Sequence, residues 1–368
     1  MATVCVTSHH LLRPSASPFA ELPSLATMYR AAVLLVAGAA LACVLQSSTA
    51  LPTSSPSVLP LPFPVAGGFH ALGGSLVIVT NGANNTVQLI DTDTGKTLTT
   101  SALTTAPIAS AVSASAATVW TVPRAGSFLM VSSVLTGAPA TTVPLPCQPS
   151  SVALGTDLAF VPCGKDVLAI NVHSLQVVGS VSNPASYSPL VAAASDSRFF
   201  LANAAVSSGG DCVWSVSATT STSGAVAMKV SRGINGGCDN GNTLAASTDG
   251  KHVAFATGGG NCGGYNICDF SGANISRVLG EYSTGAYPTG AAFSRDNSMF
   301  ASSNGMGGPE LFVFGASRHN VIKKAAMPSP CEYMSPRDVQ FSTDGRRVYL
   351  SVLCGFDATT TQLFWIDV

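Results

Sequence analysis

The sequence predicts an all-β chain in which a four-stranded unit recurs around a closed ring. Three observations predict it. A phrase of β-branched strand, turn and alternating strand returns at intervals of roughly 40 to 54 residues, the span of four short strands and their loops. No stretch after residue 50 carries a helical period of apolar residues. The folded part also opens on what reads as the tail of a repeat: Pro60-Leu61-Pro62 returns as Pro144-Leu145-Pro146, and Ala71-Leu72-Gly73 as Ala153-Leu154-Gly155.

The clearest unit runs from Ser75 to Thr100. Val77 to Asn81 is a β-branched run, and Gly82-Ala83-Asn84-Asn85 turns the chain. Thr86 to Asp91 then alternates apolar and polar, the mark of a half-buried strand. Asp93-Thr94-Gly95 makes the next hairpin, and Thr97 to Ser101 starts a further strand. Second strands of similar units begin near Ser75, Thr118, Asp157, Arg198, His252, Met299 and Arg347, which makes seven units. Ser247-Thr248-Asp249-Gly250, Ser294-Arg295-Asp296-Asn297 and Ser342-Thr343-Asp344-Gly345 are the turns before the last three. The final unit has strands at Asp338 to Ser342, Val348 to Val352 and Thr361 to Val368, and is then one strand short. Ser57 to Pro62 matches Thr141 to Pro146, which holds the outermost position of its own unit. The N-terminal ribbon is therefore expected to complete the last sheet, where prolines are tolerable because the strand is an edge. Such an array closes its ring and leaves few exposed edges. The expected fold is a seven-bladed β-propeller. A six-bladed ring is the alternative if Val181 to Gly237 holds fewer units, and an extended linker is the alternative for Ser57 to Pro62.

The phrase "VIVTNGANNTVQLIDTDTGK" resembles the YVTN-type propeller repeat, with Val79-Thr80-Asn81 at its centre. "SPRDVQFSTDGRRVYLSV" and "YPTGAAFSRDNSMFASS" resemble the first-strand, turn and second-strand phrase of that family. The resemblance is strong in the first unit, fair in the last two and poor in units two to four. It implies the fold; the family's roles are too diverse to carry over.

The chain has 368 residues, 46% hydrophobic and only 10% charged, with a formal net charge of −1. A sizeable core is available, and a charged disordered chain or a basic nucleic-acid binder is excluded. Arg30, the apolar run Ala31 to Leu45 and Ser48-Thr49-Ala50 read as a signal peptide over 28–50. That run is shorter than the roughly 20 residues a membrane span needs. The expected organisation is an upstream extension over 1–27, the signal peptide, a linker over 51–56 and the propeller over 57–368. The protein is expected to be secreted, with no membrane association unless the N-terminal segment is kept as an anchor.

Eight of the ten cysteines lie beyond residue 50, and an even number in an exported chain suggests disulfides. Cys147, Cys238 and Cys331 sit before first strands; Cys163, Cys262 and Cys354 sit after the adjoining second strands, each followed by glycine. The start of one antiparallel strand faces the end of its neighbour, so 147–163, 238–262 and 331–354 are expected to pair. Cys212 and Cys268 remain and pair by elimination, with 212–238 and 262–268 as the competing arrangement. A zinc site is disfavoured by the absence of ligand spacing.

No linear motif specifies chemistry. Gly258 to Gly263 matches GxGxxG but precedes strand-like sequence, not a helix. Asp91 to Gly95 opens like a calcium loop but lacks its third acid and closing Glu, and reads as a hairpin turn. His70, His173, His252 and His319 are dispersed, and no HExxH or GxSxG occurs. No metal and no cofactor are expected. Candidate ligand-binding residues enter first strands on one loop face: Arg337 and Asp338, because charge is scarce, with Asp239, Asn240, Tyr287, Tyr187 and Phe63. Asn84 and Asn274 head glycosylation sequons. These features suggest a non-catalytic binding or scaffold module for a protein or glycan. A propeller enzyme such as a lactone hydrolase and a membrane-anchored surface protein are the alternatives.

Overall fold

A computed structural model describes residues 56–113, 117–133, 135–185, 189–203, 212–231, 233, 241–257, 266–285, 287–305, 310–327, 334–355 and 359–368; side chains at 241, 242, 257 and 334–337 are not described. Among the described residues there are strands and no helix. The chain opens with β1 (Ser57–Leu61). A first set follows: β2 (Val65–Ala71), β3 (Leu76–Asn81), β4 (Thr86–Asp91) and β5 (Lys96–Ala102). The second set is β6 (Pro107–Ser113), β7 (Thr118–Pro123), β8 (Phe128–Ser133) and β9 (Thr141–Pro144). The third is β10 (Ala153–Leu154), β11 (Leu158–Cys163), β12 (Asp166–Asn171) and β13 (Val177–Ser182). The fourth is β14 (Pro189–Ser195), β15 (Arg198–Asn203), β16 (Val213–Thr220) and β17 (Val226–Val230). The fifth is β18 (Gly241–Ala246), β19 (His252–Thr257), β20 (Asn266–Ser271) and β21 (Asn274–Ser283). The sixth is β22 (Pro288–Phe293), β23 (Met299–Asn304), β24 (Glu310–Gly315) and β25 (Val321–Ala326). The last set has β26 (Met334–Phe341), β27 (Arg347–Cys354) and β28 (Thr360–Asp367).

Each set is an antiparallel meander, and β1 is the fourth strand of the last one, in the order β1-β28-β27-β26. Its register runs from Ser57 opposite Trp365 to Leu61 opposite Thr361, with Pro60 opposite Gln362. The proline lacks an N–H, and only an edge strand tolerates that. The first two sets merge into one eight-stranded sheet through a single parallel bridge, Gly67 to Ala109. A Cβ on Gly67 would lie 2.9 Å from the Ala109 nitrogen, and its φ is +84°, so the bridge requires glycine.

Burial explains why the strands read as they do. The second strand β11 is buried at every position, LAFVPC, because another sheet packs on each face. The fourth strand β5, KTLTTSA, is largely exposed and correspondingly rich in Thr. Successive sets stack face to face. Trp120 and Leu129 meet Ala159 and Ile170; Phe160 meets Phe199. Tyr349, Leu363 and Trp365 of the last set meet Phe69, Val77 and Val79 of the first. The last-to-first seam is also bolted by Arg347, which donates to Asp93 at 2.8 Å and Asp367 at 3.2 Å while lying over the Trp365 ring.

The three Ser-x-Asp turns share one geometry. Ser247, Ser294 and Ser342 each donate to the Asp two residues on, at 2.7, 2.6 and 2.6 Å. Each hydroxyl accepts the backbone N–H of the residue that opens the next strand, at 2.9 Å in all three. The hydrogen bond from Ser294 lowers the Asp296 pKa, and that from Ser342 lowers the Asp344 pKa. Asp91 likewise accepts from Asp93 N and Thr94 Oγ1, which makes Asp91 to Gly95 a hairpin turn.

Cys147 and Cys163 form a disulfide, with Cα atoms 5.5 Å apart. Cys212, Cys268 and Cys354 are also disulfide-bonded. Cys238, Cys262 and Cys331 lie outside the described residues. The expected 212–268 with 238–262, and the competing 212–238 with 262–268, each involve cysteines outside the described residues.

Trp365→Ala should cost about 3–5 kcal/mol in urea unfolding, because its ring fills the last-to-first seam. Opening the 147–163 bond with paired serines should cost about 3 kcal/mol. A peptide map without reduction should recover the 147–163 link; a 212–268 peptide would bear out the pairing by elimination, and 212–238 with 262–268 peptides would overturn it.

Candidate functional site

The first strands of all the sets face a common axis, and that axis is hollow. Its lower part, about 290 Å³, is collared by Ala111, Ala153, Ala192, Ala245 and Ala291, with His70, Phe293 and Gln340 among them. Small side chains are needed where so many strands converge. The upper part, about 440 Å³, is lined by Val65, Gly67, Gly68, Ile108, Thr243, Asp338, Ser351, Leu353 and Thr361. Asp338 and Gln340 are two residues apart on β26, as Gly68 and His70 are on β2, so the same two strands border both chambers.

The polar floor is built by a bulge in β2, where the register shifts between Val65 and Phe69. Gly67 and Gly68 take φ of +84° and +97° there. The buried Thr80 hydroxyl sits against the Ala66 carbonyl and 2.9 Å from the Gly68 carbonyl. Ser110 Oγ donates to the Gly67 carbonyl at 2.7 Å. Its hydrogen thus used, it accepts from His70 Nε2 at 2.9 Å, which assigns the proton to that nitrogen. Burial lowers the His70 pKa to about 4, so the ring is neutral. Burial pushes the Asp338 carboxyl up to about 6, against hydrogen bonds from Gln340 and from the backbone of Val339 and Phe69. The bond from Phe69 also ties β26 to β2 across the last-to-first seam.

Of the sequence candidates, Asp338 lines the upper chamber. The Arg337 side chain, Asp239, Asn240 and Tyr187 lie outside what is described. Tyr287 is exposed at a turn with φ of +55° and does not line either chamber. Phe63 packs with the last-to-first seam. Asn84 and Asn274 are exposed in or beside turns. Sequence reasoning missed Gly68, Ser110, His70 and Gln340 as neighbours of Asp338. The one available signal was Gly67-Gly68 inside a strand, which marks a bulge or a close approach.

Another cleft, about 620 Å³, lies on the last-to-first seam beside Asp93, Asp344, Arg346, Arg347 and Asp367. Arg347 is already shared between Asp93 and Asp367, so this cleft serves the seam.

A second polar cluster joins the fifth and sixth sets. Asp269, fully buried on β20, accepts from His252 Nδ1 and His319 Nε2, each at 2.8 Å, and from Tyr282 Oη at 3.2 Å. All three converge on Oδ2; Oδ1 has no partner. A Cβ on Gly280 would lie 2.5 Å from the His319 ring, so glycine makes that ring's place. The Tyr282 ring stacks on Phe300 with centroids 4.0 Å apart. His252 thus has a structural partner, and Asp269 was not singled out from sequence. The hydrogen bond to Asp269 raises the His252 pKa. Among the described residues no group of three or more acidic, His or Cys side chains is placed to hold a metal ion.

No family model matches the chain, and no curated protein matches it. Among solved structures it is similar to a Kuenenia stuttgartiensis hydrazine synthase chain, with a TM-score of 0.61 and 16% identity over 88% of this chain and 98% of that one. A likeness at that identity shows the fold alone: all-β and propeller-like.

The raised His252 pKa fixes a sign. Its stabilisation is fully present below its unfolded value of 6.5 and is lost as pH rises through the folded value. The melting-temperature gap between wild type and His252→Gln should therefore be widest near pH 6 and shrink by pH 8.5. A gap that widens with pH would refute the assignment.

Proposed function

We propose that the chain is an exported, seven-bladed propeller that acts as a non-catalytic binding module, seating part of a protein or glycan ligand in the upper chamber. The blade count is supported by seven first strands that follow one another around the axis, from β2 through β26 and back to β2. The observation that carries the binding reading is the chamber itself. It has the size of a small-ligand pocket, apolar walls from Val65, Ile108 and Leu353, and a few convergent polar groups around one carboxyl, Asp338. Export is supported by the signal-like segment at 28–50 and by the disulfides. No helix among the described residues is long and apolar enough to cross a membrane.

An enzymatic reading has one specific support. On one channel the Asp338 carboxyl is pushed up to about 6 while His70 is pulled down to about 4. Groups whose environments invert the usual order of titration are what general acid–base catalysis uses. A lactonase assay in which Asp338→Asn removes turnover would favour this reading.

Leu353→Arg blocks the chamber from its wall. It should weaken binding of ligands identified on glycan arrays or by partner screening at least tenfold, with the melting temperature unchanged. Binding that survives in the folded variant would overturn the chamber as the seat. Secretion from eukaryotic cells should yield a mature start at Leu51, with endoglycosidase-sensitive mass on Asn84 and Asn274. A start upstream of Met28 would overturn the signal-peptide assignment.

A further inference from the structure

Beyond the alanine collar the channel opens into a further hollow of about 290 Å³. It shares His70, Val112, Phe293 and Gln340 with the collared part and reaches the turns between first and second strands. Three of those turns are the Ser-x-Asp turns of the last three sets. Their middle residues are Thr248, Arg295 and Thr343, and all three line the hollow. The flanking serine and aspartate bond to each other within each turn, which leaves the residue between them to face the channel. The rim is also fixed from set to set. Thr248 N donates to Asn297 Oδ1 at 2.8 Å and its hydroxyl to the Arg295 carbonyl at 3.2 Å, while Thr343 N donates to the Leu72 carbonyl at 3.3 Å.

Arg295 is the one charged side chain along the collared part and this hollow. The other lining residues are uncharged, His70 included, because burial keeps that ring neutral. Among the described residues the Arg295 guanidinium has no ion pair and no hydrogen bond. The acids of the neighbouring turns have other partners. Asp249 holds Lys251 and Ser247, and Asp296 holds Ser294 and Ser298. Asp344 holds Ser342 and the backbone N–H groups of Arg346 and Gly74. In the second set the turn residues outside the described ones are Ala114, Ser115 and Ala116, which bring no ionisable group. The walls beside the guanidinium are apolar, from Leu72, Val112, Phe293 and Phe341.

We propose that the lower mouth of the channel is a second binding site, which seats a small monocarboxylate with an apolar body: the carboxylate on Arg295, the body against Phe293, Val112 and Leu72. The guanidinium fork matches the two oxygens of a planar carboxylate. A cation meets like charge there, a neutral apolar molecule leaves the guanidinium unpaired, and a multiply charged anion finds a single cation. The site shares no lining residue with the upper chamber and stands whether or not that chamber holds a ligand.

The test titrates the wild-type protein with phenylpropionate, followed by NMR. Phenylpropanamide is the neutral probe, phenylpropylamine the cationic one, and acetate the carboxylate without an apolar body. Phenylpropionate should bind with its ring against Phe293 and Val112, and each of the other three should bind roughly tenfold more weakly or worse, the scale of one lost charge-assisted pair or one lost apolar body. Arg295→Thr is the matched variant, because threonine already holds that place in the two sister turns. It should keep the wild-type melting temperature and weaken phenylpropionate roughly tenfold or more, with the amide unchanged. If that variant fails to fold, the wild-type comparison of acid with amide decides. Leu353→Arg, which fills the upper chamber, should leave phenylpropionate binding as it is. Absence of binding, acetate or the amide binding as tightly as phenylpropionate, an acid that folded Arg295→Thr does not weaken, or one that Leu353→Arg displaces would each overturn the carboxylate site.

Discussion

The structure depends on one seam, where the last sheet meets the first. Every other pair of neighbouring sheets is joined by a short connection, so their packing is partly intramolecular by construction. Here the two partners lie at opposite ends of the propeller sequence, and nothing covalent and short brings them together. The loop-closure cost of that contact is offset by three devices in the same place. β1 adds a fourth strand to the final sheet. Phe69, Val77, Tyr349 and Trp365 form a shared apolar layer, each fully buried large side chain contributing on the order of 1.5–3 kcal/mol. Polar ties supplement them: Arg347 with Asp93, Val65 N on Thr361 Oγ1, and Gly74 N on Asp344.

The same seam positions the chamber. Val65, Gly67 and Gly68 belong to the first sheet, and Asp338, Ser351, Leu353 and Thr361 to the last. Most of the lining therefore comes from the two sheets that must find each other over the longest chain separation. The Asp338 carboxyl takes a hydrogen bond from the Phe69 backbone, so one side chain both helps close the ring and faces the cavity. That double duty accommodates a half-buried carboxyl in a chain with so few charges. It has backbone and Gln340 donors, which limit the cost of burial without cancelling it.

The fifth-to-sixth seam uses a different economy. Asp269 draws two histidines and a tyrosine from separate turns and strands onto one oxygen, and the aromatic rings of Tyr282, Phe293 and Phe300 enclose the group. Burying a carboxylate there is acceptable because three donors replace its water. Polar specificity at this seam and apolar area elsewhere solve the same problem, that of keeping adjacent sheets in one register.

Local chemistry was legible in the sequence. Thr86 to Asp91 is a strand at those bounds because its alternation has period two. The Ser-x-Asp turns were visible because serine and aspartate bond to backbone within a few residues. The proline-bearing ribbon found its partner because the repeat fixes which strand is missing from the last unit, and the same logic placed Cys147 beside Cys163. The repeat could not pair Cys212, whose position lies off its pattern. Nor could it show that Gly68, Ser110, His70 and Asp338 share one floor. Those residues come from three strands of three successive sets, and β-strand periodicity states which face a side chain takes, never what stands across the axis from it. That juxtaposition, and the proton affinities burial confers on Asp338, His70 and His252, exist only once the ring is closed and water is excluded.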